Sequence, residues 1–329
     1  MEYIIADGGQ MEVGRLDVNR TLDLDIGDTN DFELTLSVYD SSRLGLEYGY
    51  ALFSPDTEYG GFLTDKWSST SSLTVKWYAD TWRGMLDKVI IEPPAGQEYK
   101  SVSGEANTVI RKLMSGVCGG FFQIPETDSK IIVDYQFPRY VSMLEGLTKM
   151  LEKERARLRI RAVQGAAGEA FGVQIEAVNI TDYSEELEYS QDNKINLEIR
   201  DSRRGINHLI CLGKGELTEK QILHLYVQKD GTIGPQKCFT GIEERVVVCD
   251  CNSAEDETSL REEGEKTLRE LMDYQKLTMS AQDVDLEIGD IIAGRDRESG
   301  LYLKKPILGK VLKVEGLSEE ITYLVEGEK

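Results

Sequence analysis

The chain has 329 residues, and 40% of them are hydrophobic, which predicts two or three domains with a packed core and excludes wholesale disorder. No apolar run approaches the roughly 20 residues that cross a bilayer, and the N-terminus lacks the basic region of a signal peptide. The formal net charge of −21, from 38 basic and 59 acidic residues, argues against stable nucleic-acid binding, because phosphates must be neutralised by Lys and Arg.

Residues 1–94 are predicted to form an N-terminal β-barrel domain. Asp31–Val38 and Leu73–Trp77 alternate apolar with polar residues, as expected of half-buried strands. Short alternating strands joined by Gly-, Ser- and Asp-rich turns indicate a sandwich or a barrel. Pro93 and Pro94 end this domain, because proline cannot continue a strand ladder.

Residues 95–187 are predicted to form a small α+β domain. Ser103 has the position of a cap for a helix that ends near Ser115. Ser142 and Glu145 have the spacing of a capping box that opens a second helix. The chain then alternates apolar residues with arginines, which predicts a strand with one buried face.

Residues 188–329 are predicted to form a second β-barrel domain with an inserted hairpin and helix at about 216–277. Its predicted strands are Asn196–Arg200, His208–Leu212, Ile222–Gln228 and Glu244–Cys249. Ser259 and Glu262 have capping-box spacing, so a helix is expected to begin there and to end near Gln275. The predicted fold class is therefore mainly β with α+β, in which two similar β-barrels flank a small α+β domain.

Two short segments near opposite ends of the chain are similar. Leu46–Leu52 reads LEYGYAL, and Leu286–Ile292 reads LEIGDII. Each is followed by a polar turn and a second predicted strand, Gly61–Trp67 in the first case and Gly309–Glu315 in the second. A recurring strand–turn–strand unit predicts two similar modules that build one continuous surface. Chance similarity between two glycine-centred strands is the alternative.

Several segments resemble, in order and spacing, the siphophage tail-hub proteins of the phage baseplate-hub family. They are Asp31–Leu34, Gly61–Thr64, Trp82–Leu86 followed by Pro93 and Pro94, Gly205–Glu216, and Gly289–Ile292. The resemblance covers most of the chain. It implies two β-barrel domains that build a trimeric ring with pseudo-sixfold symmetry, in agreement with the two similar segments.

The resemblance further implies a structural protein that joins the tail tube to the tail tip or spike of a phage, a prophage tail or a tailocin. The implied partners are other copies in a homotrimer, a tail tube or distal tail protein, a tape-measure protein, and spike or other baseplate proteins. We expect location in the virion tail after synthesis in the host cytoplasm. An odd number of widely spaced cysteines, five in all, agrees with a reducing compartment.

Candidate catalytic and metal-binding residues are few. His208, one of two histidines with His224, lies in an alternating run without an acid at triad-like spacing, so we interpret it as a strand histidine. Cys249 and Cys251 are separated by one residue, with Cys238 upstream. We expect the two thiols to point to opposite faces of a strand and to be buried, since structural zinc uses gaps of two to four residues. We predict no catalytic residue, no metal and no cofactor.

Two charged clusters leave alternatives open. Asp23, Asp25, Asp28 and Asp31 are interpreted as solvated turn carboxylates, with weak calcium binding between subunits as the alternative. Arg155, Arg157, Arg159 and Arg161 form either a solvated strand face or a subunit interface that receives an acidic patch of a neighbouring subunit.

Three other functions remain open at the level of sequence. A receptor- or glycan-binding tail protein would expose aromatic faces, and Trp67, Trp77 and Trp82 lie close together, although core or ring-interface packing suits them better. A tail-associated cell-wall hydrolase would need a catalytic acid or thiol in a cleft. A bacterial multidomain β protein unrelated to phages is the third.

Overall fold

The structure is a computed structural model. It describes residues 1–166, 168–184, 188–189, 195–202, 205–215, 219–251, 254, 256–272, 274–281, 286–295, 300–316 and 318–325. Strands make up 42% of this structure and helices 19%, so the prediction of a mainly β protein is confirmed. The first of two compact units comprises Met1–Leu197 and Thr278–Val325, and the second is Glu198–Leu277. The predicted domain boundary at 187 and Glu216 lie outside the described residues.

The helices are α1 Val38–Leu44, α2 Trp82–Asp87, α3 Ala106–Leu113, α4 Met143–Glu152 and α5 Glu257–Leu271. The strands before residue 95 are β1 Ile4–Ala6, β2 Glu12–Arg15, β3 Thr21–Ile26, β4 Asp31–Ser37, β5 Ala51–Phe53, β6 Gly60–Ser69, β7 Thr74–Thr81 and β8 Ile90–Ile91. Those of the middle are β9 Lys100–Glu105, β10 Phe122–Gln123, β11 Ile132–Phe137, β12 Val141–Ser142, β13 Ala156–Val163, β14 Gly172–Asn179 and β15 Glu188–Tyr189. The last are β16 Ile195–Ser202, β17 His208–Leu212, β18 Ile222–Val227, β19 Ile233–Gly234, β20 Val246–Asp250, β21 Tyr274–Ala281, β22 Ile291–Arg295, β23 Tyr302–Pro306, β24 Gly309–Glu315 and β25 Ser318–Val325.

The largest sheet has eleven strands in the order β16–β21–β25–β24–β3–β4–β7–β6–β5–β1–β2, and it curls into a half-barrel. Strands from both ends of the chain therefore share one sheet, since β24 pairs antiparallel with β3 along Lys310–Glu315. The predicted alternation is seen in β4, where Phe32, Leu34 and Leu36 are buried. Because successive side chains of a strand point to opposite faces, these residues line the inner layer.

The order of this sheet contains an internal repeat. Reading along it, β16–β21–β25–β24 is followed by β3–β4–β7–β6, and each strand of the first set has a counterpart at the same place in the second. We call β3, β4, β5, β6 and β7 the first repeat, and β16 with β21 to β25 the second repeat. The connection from β3 to β4 is four residues, 27–30, whereas the equivalent connection from β16 to β21 contains β17, β18, β19, β20 and α5.

The two similar sequence segments are equivalent in this repeat. The N–H of Tyr50 donates to Glu47 O at 3.2 Å, and the N–H of Asp290 donates to Glu287 O at 3.1 Å, so both segments form the same tight turn. The third residue of each turn has a positive φ, 81° and 95° respectively, which glycine adopts without steric cost.

The strands after these turns are also equivalent. The N–H groups of Gly49 and Gly289 donate to Leu63 O and Ile307 O, both at 2.8 Å. Strand β22 pairs antiparallel with β23, and Gly309–Glu315 forms β24, so the predicted strand is confirmed. In the first repeat β6 continues through a bulge after Leu63 and pairs with β7. In the second repeat the corresponding strand is divided in two, β23 and β24, because Pro306 interrupts its hydrogen bonding.

The α+β part of the first unit is built on the antiparallel hairpin β13–β14. Helix α4 is capped by Ser142 as predicted, and its inward residues Leu147 and Met150 are fully buried. Helix α3 begins at Ala106 rather than near Ser103, because residues up to Glu105 pair with β11. Its cap is Glu105, whose carboxylate accepts the N–H groups of the first turn.

The second unit has a four-stranded sheet in the order β19–β18–β17–β20, with α5 packed on one face. It begins at Glu198, ahead of the insertion start that the sequence suggested near 216. Helix α5 begins at Glu257 and not at Ser259, because Asp256 provides the cap and Ser259 is the third residue inside the helix.

None of the helices in the part of the chain described above has the length and apolar character needed to cross a membrane.

Candidate functional site

The four arginines predicted as an interface lie on β13 or next to it. Arg155 precedes the strand and is exposed, with a positive φ of 54°. The other three arginines share one face of β13, while Leu158 and Ile160 are buried on the other. The predicted alternation of apolar residues and arginines is therefore confirmed.

Arg157 binds the turn that precedes β22 in the second repeat. Its Nε donates to Asp290 Oδ1 at 2.8 Å, and its Nη1 donates to Glu287 Oε2. Asp290 is 1% exposed and also accepts the N–H of Thr181 at 2.8 Å. A Cβ on Gly289 would lie 2.9 Å from Arg157 Cβ, so only glycine fits this turn against β13.

A second arginine reaches the same turn. Arg161 Nη2 donates to Glu287 Oε1 at 2.9 Å, which places Glu287 between two guanidinium groups. Burial of Glu287 disfavours its ionised form, but the charge of Arg157 and the hydrogen bonds from Arg161 and Arg157 outweigh burial and lower its pKa below the ordinary value. Arg159 instead donates to Glu176 on the neighbouring strand β14, at 2.9 and 2.6 Å.

Strand β13 also contacts the first repeat. The N–H of Asp56 donates to Ala162 O, and the N–H of Ala162 donates to Thr57 O, both at 2.8 Å. Near these bonds lies a buried ion pair, in which Arg83 Nε donates to Glu58 Oε1 at 2.5 Å. The arginine strand therefore connects the two repeats of one chain, and the carboxylates that we expected on a neighbouring subunit are supplied to three of its arginines by the same chain.

One edge of the first repeat is open within the described residues. The initial half of β6 pairs with β5, but Asp65–Ser69 pairs with β7 alone. The equivalent strand of the second repeat, β24, has β25 on one side and β3 on the other. Beside the open edge, a groove of about 460 Å³ separates the β6–β7 hairpin from α1.

Exposed aromatic and aliphatic side chains surround this edge. Trp67, Tyr48 and Leu73 are 47%, 65% and 67% exposed. Trp77 and Trp82 are buried instead, as core packing predicts. Large apolar side chains grouped at an open strand edge are typical of a contact surface, because both features favour pairing with another chain.

The two histidines meet in the second unit. His208 Nδ1 lies 2.7 Å from Glu244 Oε1, and His208 Nε2 lies 2.8 Å from His224 Nδ1. The ring of Tyr226 stacks on His208 at a centroid distance of 4.4 Å. Both ring nitrogens of His208 are thus engaged. The acid, 36 residues further along, could not be seen from local spacing.

The prediction that the thiols of Cys249 and Cys251 point to opposite faces is wrong, whereas Cys251 is buried as predicted. Cys249 Sγ and Cys251 Sγ lie 3.3 Å apart, because residues two apart on a strand point to the same face. Cys238 is separate from them, with its thiol donating to Gln228 at 3.3 Å. Within the described ranges, no group of three or more His, Cys, Asp or Glu side chains has the arrangement of a metal site.

The acidic run near the N-terminus extends over β3, the β3–β4 turn and the start of β4. Asp25 Oδ1 accepts the N–H groups of Asp28, Thr29 and Asn30 at 3.1, 2.9 and 3.4 Å. Asp23 Oδ2 instead lies 3.7 Å from Lys313 Nζ on β24. These carboxylates close a turn and pair across strands, in agreement with the interpretation as turn carboxylates.

The fold is that of phage tail and baseplate proteins. The 43 kDa tail protein of prophage MuSo2 from Shewanella oneidensis is 12% identical, over 99% of this chain and 98% of that chain, with a TM-score of 0.52. A chain of the p2 virion baseplate in its activated conformation is 11% identical, over 100% of this chain and 99% of that one, with a TM-score of 0.51. No protein-family model and no curated protein matches the sequence. The resemblance to phage tail proteins is therefore confirmed at the level of the fold.

Proposed function

We propose that this chain is a structural hub protein of a phage tail or phage-tail-like particle, whose copies form a ring between the tail tube and the tail tip or spike. The shared fold supports a role in a tail or baseplate. The observation that carries the ring is the repeated strand order of the large sheet.

The junction between the two repeats is a template for contact between copies. Within the chain, β24 of the second repeat pairs with β3 of the first. The counterparts of these strands are β6 and β16, and both lie at an end of the repeated order. If β6 of one copy pairs with β16 of the next, the same junction is formed between chains. Such head-to-tail contacts close into a ring when the rotation per copy is right, and they cover both open edges.

Three copies would place six repeats around this ring. A homotrimer could then match a sixfold tail tube on one side and a threefold tip on the other. The proposed partners are other copies, the tail tube or distal tail protein, the tape-measure protein, and spike or other baseplate proteins. The proposed location is the virion tail. The role needs contact surfaces only, so we propose no turnover and no cofactor.

For the arginines the proposed interface is narrower than the sequence suggested. Arg155 is exposed and Arg161 is 42% exposed, so these two are proposed to contact a neighbouring subunit. Reversing Arg157 to Glu would not test assembly, because it would place a third carboxylate beside Glu287 and Asp290. Reversing Arg155 to Glu should lower the assembled fraction in size exclusion with light scattering, and an unchanged mass would count against this contact.

Native mass spectrometry of the purified chain tests the ring. We expect a species of three chains, with little dimer, because a head-to-tail ring is incomplete until the last contact closes. A chain that stays monomeric at every concentration, or that forms an isologous dimer, would overturn the proposal.

A further inference from the structure

Three of the five cysteines meet beneath helix α5 in the core of the second unit. Cys211 on β17 is directly opposite Cys249 on β20 in a parallel register, and Cys251 follows two residues later. Cys211 and Cys251 are fully buried, whereas Cys249 is half-buried. A Cβ on Gly264 of α5 would lie 2.4 Å from Cys211 Sγ, so the helix is packed directly on this thiol.

The arrangement favours one pair among the three. The N–H of Cys251 donates to Leu212 O at 2.8 Å, so strand pairing continues past Asp250 and holds both side chains of the Cys-Asp-Cys segment on one face. Their sulfurs are 3.3 Å apart, and a disulfide would need them to approach by about 1.2 Å.

We propose that Cys249 and Cys251 form a site of reversible disulfide modification by low-molecular-weight disulfides of the glutathione class. The site includes neither β6 nor β16, the two strands proposed to pair between copies. A reducing compartment would keep both thiols reduced, and the bond would form once the protein meets an oxidising medium.

The reaction proceeds in two exchange steps. Cys249 is the more accessible thiol, and its thiolate attacks one sulfur of the reagent, forming a mixed disulfide and releasing one thiolate of the reagent. Cys251 then loses its proton and attacks the Cys249 sulfur, which forms the protein disulfide and releases the second thiolate. Two electrons pass from the cysteines to the reagent, and the two thiol protons end on the two released thiolates.

The second step sets the rate. Burial, with the neighbouring Cys249, raises the pKa of Cys251 to about 12, so the thiol is almost wholly protonated at neutral pH. Only the thiolate is nucleophilic, so the closing rate should rise about tenfold for each unit of pH below that value.

Peptide mapping of the full-length chain tests the site. The reduced protein is incubated with oxidised glutathione at about pH 7, 8 and 9, quenched with iodoacetamide and digested with trypsin. Trypsin releases Cys249 and Cys251 together on the peptide 246–261 and Cys211 separately on 205–214. We expect the peptide 246–261 to become lighter by two hydrogen atoms and unalkylated, faster at higher pH.

Controls come from the same chain. Cys118 is exposed and should accept glutathione, which shows that the reagent is active. The variant Cys251→Ser should stop at a glutathione adduct on Cys249, and Cys118→Ser should leave the result on 246–261 unchanged. Three results would each overturn the proposal. The first is full alkylation of Cys249 and Cys251, and the second is a stable glutathione adduct on Cys249 in the unmodified chain. The third is a disulfide cross-link between the peptides 246–261 and 205–214.

Discussion

Arg157 donates from Nε to the buried carboxylate of Asp290 at 2.8 Å, across 133 residues of sequence. The bond joins the strand that precedes the second repeat to the turn that opens its second half. Because the same strand pairs with Asp56 and Thr57 of the first repeat, β13 connects the duplicated parts of the first unit.

Removing one partner of this buried pair should be strongly destabilising. The variant Asp290→Ala removes the buried acceptor of Arg157 Nε and of the Thr181 N–H and leaves the guanidinium with Glu287 alone, so we expect a loss of about 3 kcal/mol in the free energy of unfolding. The control Arg155→Ala changes an exposed arginine next to the same strand and should cost at most about 0.5 kcal/mol. Urea denaturation measures both, and equal losses would contradict the role assigned to Asp290.

Glu287 should make stability depend on pH in acid. Its pKa in the folded protein is lowered below the ordinary value of 4.5, so the folded state binds its proton less readily than the unfolded state. The stabilisation is therefore complete above about pH 4.5 and is lost as the pH falls through the lower folded value. The variant Glu287→Gln should show a shallower loss of stability in this range. Parallel slopes for the two proteins in urea titrations at several pH values would refute this assignment.

The two equivalent turns offer a matched pair of substitutions. Gly49→Ala meets only the cost of a positive φ, about 1–2 kcal/mol, since no atom lies within 4 Å of the added Cβ. Gly289→Ala has the same backbone cost and in addition meets Arg157 Cβ at 2.9 Å. We expect the second variant to lower the melting temperature further than the first. The reverse order would show that the second turn is not packed on β13.

The start of helix α3 can be tested by its two candidate caps. The Glu105 carboxylate accepts the N–H groups of Asn107 and Thr108 at 2.9 and 2.7 Å. Burial raises the pKa of Glu105, but the hydrogen bonds from Ser129 and the first turn outweigh burial and lower this pKa to about 2. Glu105→Ala should therefore cost about 1–2 kcal/mol, as loss of a helix cap does. Ser103→Ala should cost little, because that residue lies in β9. A larger loss of stability for Ser103→Ala than for Glu105→Ala would show that Ser103 is the cap, as the sequence suggested.

Trp67 should matter for assembly and not for folding. It is 47% exposed on the open half of β6, so Trp67→Glu would place a charge at the proposed contact between copies. We expect loss of the trimer in native mass spectrometry with an unchanged melting temperature of the monomer. Tyr99→Glu, at a residue 44% exposed in the α+β part, is the matched control and should still assemble. If the Trp67→Glu protein is still a trimer, this edge is not part of the ring. A separate glycan-array experiment on the unmodified chain would favour sugar binding at Trp67 if it gave a hit.

Local patterns predicted the elements well where one periodicity dominates. The alternation of β4 and the apolar stripe of α4 identified both elements, because burial of one face repeats every two residues in a strand and about every 3.6 in a helix. The similar segments LEYGYAL and LEIGDII marked two equivalent places in the chain, but their glycine-centred parts, predicted as strands, form tight turns in which glycine has a positive φ.

The errors concern contacts that no local pattern contains. Glu105 was missed as a cap because β9 extends further than its propensity suggests, and pairing with β11 decides this. The carboxylates opposite Arg157 are 130 and 133 residues away, so sequence alone could not assign them to the same chain. The orientation of Cys251 is the exception, because residues two apart on a strand share a face and the local period therefore predicts what the structure shows.

The connection between β16 and β21 contains four strands and helix α5, whereas the equivalent connection in the first repeat has four residues, 27–30. A protein engineer could therefore exchange the chain between β16 and β21 for such a short loop, or for a cargo domain with closely spaced termini, and retain both strands of the large sheet. Each copy of the chain would then carry the chosen domain.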